Sequence, residues 1–401
     1  MRSVVRIFNM DDVCAFLKSE QCTMAAPPGR TGHIAVTYGK YMLVWGGYKE
    51  NPGALANTYF SGSELWIYSC ESGKWYLKRT NGDNCHPPSM SGSAAVVVED
   101  YMYLFGGYGY NGEGCTNKLY QLHLKTFNWE SLDPTGIPPI PVDKTVAWTY
   151  GGKIYIFGGF GNPDNGPAHD FQFVFYHLLW RGWTNQFFEY DPEKNHWSRP
   201  VCTGDPPSAR AAHAATVVQN KVYIFGGRHN MHRLNDLHSL DMDSLNWSGE
   251  LPTTGIEPEG RSWHSLTGLD DRYLILYGGF SQHNVALSDC WMFDTKTGQW
   301  KQLELPFVKP RLWHCACYSC YNEVLIYGGC TSNILDLERA PEQATEILFI
   351  RITPKSLFRL CMDRMLEMPQ VKSFWKSLPQ NIQSLLKLRT ANIPSRNVDG
   401  S

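Results

Sequence analysis

Two arginines, Arg228 and Arg233, stand five residues apart in the segment GGRHNMHRLND, with His229 and His232 between them. A guanidinium presents paired N–H donors that match carboxylate or phosphate oxygens, and each charge-assisted bond is worth roughly 1.5–3 kcal/mol away from water. Two guanidiniums together point to a small anion. Companions of suitable chemistry recur elsewhere: Ser262 and Trp263 in GRSWH, Trp313 in PRLWH, Arg181 and Trp183 in WRGW, and Lys144. The competing reading is that Arg228 and Arg233 pair with loop acids such as Asp236, as surface arginines often do at little gain. Cys315, Cys317 and Cys320 form a cysteine cluster, but residues 315 and 317 are two apart, as on one face of a strand. Zinc needs a fourth ligand and usually Cys-x-x-Cys spacing, so neither a metal nor a cofactor is expected.

The elements that position these residues come from a repeat. An apolar run ending in Gly-Gly recurs six times, with first glycines at Gly46, Gly106, Gly158, Gly226, Gly278 and Gly328, in steps of 60, 52, 68, 52 and 50 residues. That spacing is close to the roughly 50-residue period of propeller blades, the excess belonging to loops. Ahead of four Gly-Gly strands stands Arg-x-x-His (Arg30/His33, Arg210/His213, Arg261/His264, Arg311/His314), whereas two units carry Met90 to Ser93 and Asp143 to Trp148 instead. A third, alternating strand follows each Gly-Gly loop, and Trp75, Trp129, Trp197, Trp247 and Trp300 open a fourth strand in five units. A four-stranded sheet cannot bury both faces alone, so six stack around an axis. The repeated Arg and His are expected to be blade-to-blade hydrogen-bonding groups, since buried polar groups need partners. The last unit lacks its tryptophan strand, and residues 19–25 are expected to supply it and close the ring. Because antiparallel strands alternate in direction, the loop after Gly-Gly and the link leading into the first strand emerge on one face, where Arg228, Arg233, Ser262, Trp263, Trp313, Arg181, Trp183 and Lys144 would gather.

Composition sets the bounds. The chain has 401 residues, 43% of them apolar and 18% charged, so it folds rather than remaining disordered. Lys and Arg total 36 against 38 Asp and Glu, a formal net charge of −2, which argues against nucleic acid or an anionic membrane as partner. No run approaches 18 apolar residues, and charges interrupt the N-terminal segment before a signal-peptide core forms. The 12 cysteines then read as reduced thiols in a protein of the cytoplasm, the nucleus or both.

After Ile352 the strand pattern stops. Leu357, Cys361 and Met365 fall at helical spacing with Leu360 beside them, Pro354 stands near the start, and Pro369 and Pro379 divide residues 353–389 into short helices. This apolar face either packs on the side of the propeller or docks into a partner's groove. Residues 1–18 and 390–401 read as terminal segments.

These motifs carry a resemblance. The Gly-Gly and tryptophan repeat over about residues 25–352 resembles the kelch repeat, which implies an all-β, six-bladed propeller whose first strands are innermost. Ser356-Leu357-x-x-x-Cys361-x-x-x-Met365 resembles the BC box that binds elongin C, and Leu378-Pro379-x-x-Ile382-x-x-x-Leu386 the cullin box of receptors that recruit cullin-2. The whole is similar to the kelch-repeat substrate receptors of cullin-2 RING ubiquitin ligases. The resemblance implies a non-catalytic receptor that docks elongin B/C, with Leu357, Leu360, Cys361 and Met365 facing elongin C. It also implies recognition of proteins ending in glycine, typically Gly-Gly. Arg228, Arg233 and Ser262 would hold the terminal carboxylate, with Lys144, Phe160, Arg181, Trp183, Trp263, Trp313 and Ile334 lining the peptide pocket. Phe160 stands where the family has a tyrosine and Ile334 where it has a leucine. A chain that itself ends Gly400-Ser401 would, on this view, self-associate by placing its tail in such a pocket. The alternatives are a non-degradative kelch scaffold or an enzyme; against the latter, neither the Ser-x-Asp-x-Gly-x-Thr-Trp turn of sialidases nor a Tyr/His/Cys copper set is present.

Overall fold

The computed structural model describes residues 22–51, 57–82, 85–109, 114–162, 172–176, 179–336, 339, 341–352 and 354–390, without the side chains of 22, 172–176, 179, 180 and 369. The expected terminal segments 1–18 and 390–401, apart from Thr390 but including Gly400 and Ser401, lie outside the described residues. Six antiparallel sheets form a ring. Their innermost strands are Ile34–Tyr38, Ala94–Val98, Val146–Tyr150, Ala214–Val218, Ser265–Leu269 and Cys315–Tyr318, each touching the next and the last touching the first. Outward from these run the strands that lead into Gly-Gly, then the alternating third strands, then fourth strands in the first five blades. Among the described residues the sixth blade has three: Cys315–Tyr318, Glu323–Tyr327 and Ile347–Arg351.

The tryptophans explain the stacking. Trp129 meets Trp45 of the preceding blade edge-on at 5.9 Å, Trp197 meets Phe105 and Trp300 meets Phe225 in the same way at 5.5 and 5.3 Å, and Trp247 lies tilted against Phe157 at 5.4 Å. Each partner is the residue just before Gly-Gly, so one side chain per blade caps the neighbouring sheet, adding about 0.5–1.5 kcal/mol beyond its buried area. The ring closes by the same device: Trp75 of the first blade lies 4.8 Å from Tyr327 of the sixth. This corrects the expectation for residues 19–25 over their described part, residues 19–21 lying outside the described residues. Cys22–Met24 does not complete the sixth blade; it pairs antiparallel with Lys74–Arg79, the outer strand of the first. The reason is visible in the other blades, where the link leaving one blade pairs parallel with the outer strand of the next, as Thr203–Asp205 does with Asn246–Ser248. Among the described residues no such link reaches the first blade from behind, and Cys22–Met24 covers that edge.

The repeated Arg and His divide the expected role. The arginines act within their own blade: Arg30, Arg210 and Arg261 each donate to the carbonyl of the first glycine of Gly-Gly, at 3.0–3.1 Å. The histidines act between blades. His264 Nε2 meets Phe225 O at 3.2 Å and His314 Nε2 meets Ser265 Oγ at 2.9 Å. A Cβ on Gly328, whose φ is +68°, would stand 2.5 Å from Cε1 of His33, which is why that position has no side chain.

At the mouth of the channel the lead-in segments close a second ring, made of backbone. The N–H of Gly92 donates to Gly32 O, Lys144 to Gly92 O, Ala212 to Lys144 O, Trp263 to Ala212 O and Trp313 to Trp263 O, all at 2.8–2.9 Å, and Gly32 completes the circuit to Trp313 O at 3.4 Å. All six residues have φ between 54° and 70°. For the four that are not glycine this left-handed conformation costs about 1–2 kcal/mol each, and it persists because the neighbours on both sides fix it.

Burial holds the histidines neutral: it pushes His213 and His314 down to about 3, and His33 and His264 also well below the usual imidazole range. A folded-state pKa below the unfolded one gives stability that is present above pH 6.5 and lost as pH falls, at about 1.4 kcal/mol per unit per histidine. Unfolding free energies from urea denaturation at pH 7 and pH 5 are expected to differ by several kcal/mol in favour of pH 7; equal values would contradict neutral burial.

Candidate functional site

Each lead-in segment pairs with the residue that follows Gly-Gly in its own blade: Thr31 with Tyr48, Ser91 with Tyr108, Asp143 with Phe160, Ala211 with Arg228, Ser262 with Phe280 and Leu312 with Cys330. Four blades therefore present an aromatic ring at this place. The fourth presents Arg228, opposite a small residue.

The strands Lys221–His229 and His232–Asp241 continue past the sheet as a hairpin in which Arg228 and Arg233 are direct cross-strand partners. Like charges so placed repel. Burial, then the charge of Arg228, lowers the Arg233 guanidinium to about 10. Arg228 Nε donates to Asn230 O at 2.8 Å, and Arg233 Nε lies 3.3 Å from Ser262 Oγ, with the guanidinium 4.6 Å over the ring of Phe280. Asp236, the acid that could have cancelled this pair, is engaged elsewhere: both its oxygens accept from Arg210 at 2.7 Å, and His238 adds a contact at 2.9 Å. The ion pair of Arg228 and Arg233 with Asp236 is therefore not formed.

Beside the hairpin lies a cavity of about 460 Å³ lined by Lys144, Phe160, Arg181, Trp183, Ala211, Ala212, Arg228, Asn230, Met231, Ser262 and Trp263. None of these is acidic. Seven are residues that the sequence pointed to. Three others stand just outside: Arg233 behind Ser262, Trp313 stacked on Trp263 at 5.2 Å, and Ile334 packed with Trp263, Trp313 and the buried Phe280 and Leu312. The backbone ring explains the shape, because Ala212 sits between Lys144 and Trp263 in the circuit and its short side chain leaves the space that their long ones enclose. Trp183 is held between Phe160, at 4.9 Å, and the parallel ring of His229, at 6.0 Å.

Sequence reasoning missed Asp143. This buried carboxylate pairs with Lys144 and lies 3.8 Å from Arg181, whose guanidinium also sits 4.7 Å over Phe160 and 5.3 Å over Tyr108. The two cations at the outer rim are thus partly neutralised. Its place directly opposite Phe160 in the repeat was the available signal.

A second surface lies on the C-terminal helices, Leu357–Glu367 and Gln380–Thr390, joined by a 3-10 segment, Pro369–Ser377. Ser356 caps the first helix, its Oγ accepting from Arg359 N at 3.3 Å. Leu357 is 76% exposed and Leu360 49%, with Cys361 also exposed, so this apolar face does not pack on the propeller. Charged groups attach the helices instead: Arg359 reaches Glu323 at 3.2 Å, and Arg389 reaches Glu71 O at 2.7 Å and Asp363 at 3.0 Å. A groove of about 630 Å³ runs past Leu360, Cys361, Met365, Met368, Val371 and Phe374 to Leu378. Pro379 is exposed and Ile382 half-buried, but Leu386 is wholly buried, so it supports the helix pair and is no contact surface. Among the described residues no metal cluster is found, the ten cysteines of known state are free thiols, and no helix is long and apolar enough to cross a membrane.

Comparison with known proteins agrees with this architecture. Residues 32–272 and 180–329 match the KLHDC2/KLHL20/DRC7 Kelch-repeats domain. Kelch domain-containing protein 2 of Homo sapiens is 41% identical over 399 residues, 96% of each chain, and kelch domain-containing protein 1 of Mus musculus is 38% identical over 350 residues, 83% of each. Among solved structures, YjhT aligns with a TM-score of 0.60 over 82% of this chain and 97% of its own; at 16% identity that likeness concerns the fold alone.

The two classes of arginine should respond differently to removal. Arg210→Met strands the Asp236 carboxylate and is expected to cost about 3–5 kcal/mol. Arg233→Met relieves a like-charge pair and is expected to change stability by less than about 1 kcal/mol. Urea denaturation of both variants measures the contrast, and equal losses would mean that Arg233 is structural too.

Proposed function

Since the chain belongs to the KLHDC2/KLHL20/DRC7 kelch-repeat family, we propose that it is the substrate-recognition subunit of a cullin-2 RING ubiquitin ligase, binding proteins that end in glycine, typically Gly-Gly. The observation that carries this reading is the cavity itself. It is lined by Lys144, Ala212 and Trp263 of the backbone ring, has no acidic lining residue, and is bordered by an arginine hairpin.

In this reading the terminal carboxylate enters beside Ala212 and accepts from the Arg228 guanidinium and the Ser262 hydroxyl, with Arg233 behind Ser262 adding its charge. A carboxylate between two guanidiniums removes the repulsion that opposes them, so binding gains both hydrogen bonds and relief of that strain. Trp183 and Trp263 wall the cavity and exclude side chains near the terminus, which selects glycine by steric rejection of everything larger. Phe160 offers a ring face without a hydroxyl. No group here activates a nucleophile, and recognition requires no bond to be made or broken.

The helical segment supplies the other half of the proposal. Leu357, Leu360, Cys361 and Met365 would dock elongin C, with elongin B following. Leu378, Pro379 and Ile382 would face cullin-2 and its RING subunit, so that a ubiquitin-loaded enzyme is brought to the captured protein. The exposure of an apolar helix face capped by Ser356 supports it, since such a face is costly unless covered.

Two measurements test these halves separately. A Gly-Gly-ended peptide with a free carboxylate is expected to bind at least tenfold more tightly than its C-terminal amide, and Arg228→Ala to remove most of that difference; equal affinity of acid and amide would refute the pocket assignment. Elongin C is expected to co-purify with the wild-type chain and be lost on Leu357→Arg. If partners persist unchanged and elongin C never appears, the chain is a kelch scaffold without a ligase role.

A further inference from the structure

Every buried arginine at the head of a blade that has a described acid partner is neutralised by it: Arg210 by Asp236, Arg261 by Asp289 and Arg311 by Glu346, at 2.7–2.9 Å. Arg233 is held differently. Nε faces the hydroxyl of Ser262, Nη2 lies 3.4 Å from Oδ1 of Asn284, and the flat of the guanidinium covers Phe280. Among the described residues Arg233 forms no ion pair, and the charge that acts on it is that of Arg228. Its backbone is gripped from the same loop. The Gln282 amide accepts from Arg233 N at 2.9 Å and donates to Met231 O at 2.9 Å, so a single side chain ties the turn of the hairpin to the start of its second strand. That loop is itself built: Ser281 Oγ accepts from the N–H groups of His283 and Val285, and Asn284 N donates to Ser281 O at 3.1 Å.

We infer that Gln282 and Asn284, on the loop after Gly278-Gly279 of the fifth blade, are positioning residues for the arginine hairpin, and that their neutrality sets the preference of the pocket for an anionic ligand. An amide orients a guanidinium as a carboxylate does but leaves its charge uncancelled, so the field at the cavity survives the fixing of the geometry. This inference rests on the reading of the cavity as a carboxylate site and adds the residues that tune it. Asn284 has φ +59°, a conformation that Asn and Asp both tolerate, so Asn284→Asp changes the charge with little change in backbone preference.

The test uses the full chain and a peptide ending in Gly-Gly, as free acid and as amide, with thermal midpoints recorded alongside. Asn284→Asp is expected to weaken the acid peptide at least tenfold and the amide less than twofold, at an unchanged or higher midpoint, because the introduced carboxylate neutralises Arg233. Gln282→Ala is expected to speed dissociation of the acid peptide severalfold while the midpoint moves by no more than about 2 °C. If the wild type prefers the acid but Asn284→Asp keeps the same acid-to-amide ratio, the inference is overturned and the pocket assignment stands. If the wild type shows no preference, the pocket assignment itself falls and the inference with it. Should Asn284→Asp fail to fold, an unaltered dissociation rate in Gln282→Ala overturns the inference alone.

Discussion

A circuit of six peptide hydrogen bonds around the channel mouth is the constraint on which the rest depends. It forces one residue per blade, Gly32, Gly92, Lys144, Ala212, Trp263 and Trp313, into the left-handed region and fixes each against the next. A ring of identical residues there would make a symmetric pore. This chain instead places three residues with little or no side chain and three long ones, and a cavity forms where a short one, Ala212, falls between two long ones. The site is thus a defect in the repeat, held open by the most regular part of the structure.

Electrostatics follow the same logic. The fold uses arginine as a buried strut, with the guanidinium satisfied by a glycine carbonyl and, in three blades, by a carboxylate. Such pairs cost desolvation and reward geometry more than energy. The hairpin uses the same residue for the opposite purpose, setting two charges across from one another beside a cavity without acids. Stability is given up at that hairpin, and the strutted blades around it make the loss tolerable.

Much of this was legible in the sequence because the repeat is strict. Six Gly-Gly pairs and five tryptophans fixed the number of blades and the strand order, and the alternation of strand direction sufficed to bring Arg228, Ser262, Trp263, Trp183 and Lys144 to one mouth. What escaped was set by contacts between blades, which no single repeat encodes. The destination of Cys22–Met24 depended on which outer edge lacked an incoming link. Asp143, Gln282 and Asn284 act across loops of unrelated sequence, and the alternative that Asp236 pairs with Arg228 and Arg233 stayed open because its proximity in the chain was clearer than its bond to Arg210, 26 residues away. Leu386 sits at a docking position of its motif, yet its burial belongs to the packing of the helix pair, which periodicity alone did not resolve.

The sixth blade, with three strands among the described residues, leaves one joint unlike the rest. Tyr277 occupies the place that Trp45, Phe105, Phe157, Phe225 and Tyr327 occupy at the other joints, but no tryptophan comes across to cap it among the described residues; its hydroxyl donates to Lys309 O at 2.6 Å instead. The fifth and sixth blades therefore meet without that cap, through apolar packing, the edge-on contact of Tyr277 with His314 at 5.8 Å and the His314–Ser265 hydrogen bond, and a ring under load parts at its least riveted joint. Trp263 belongs to one side of that joint and Trp313 to the other, stacked face to face. Trp263, which lines the cavity, is consequently also half of the latch of the seam, so that under the proposed function a peptide resting on it would fasten the propeller as well as itself.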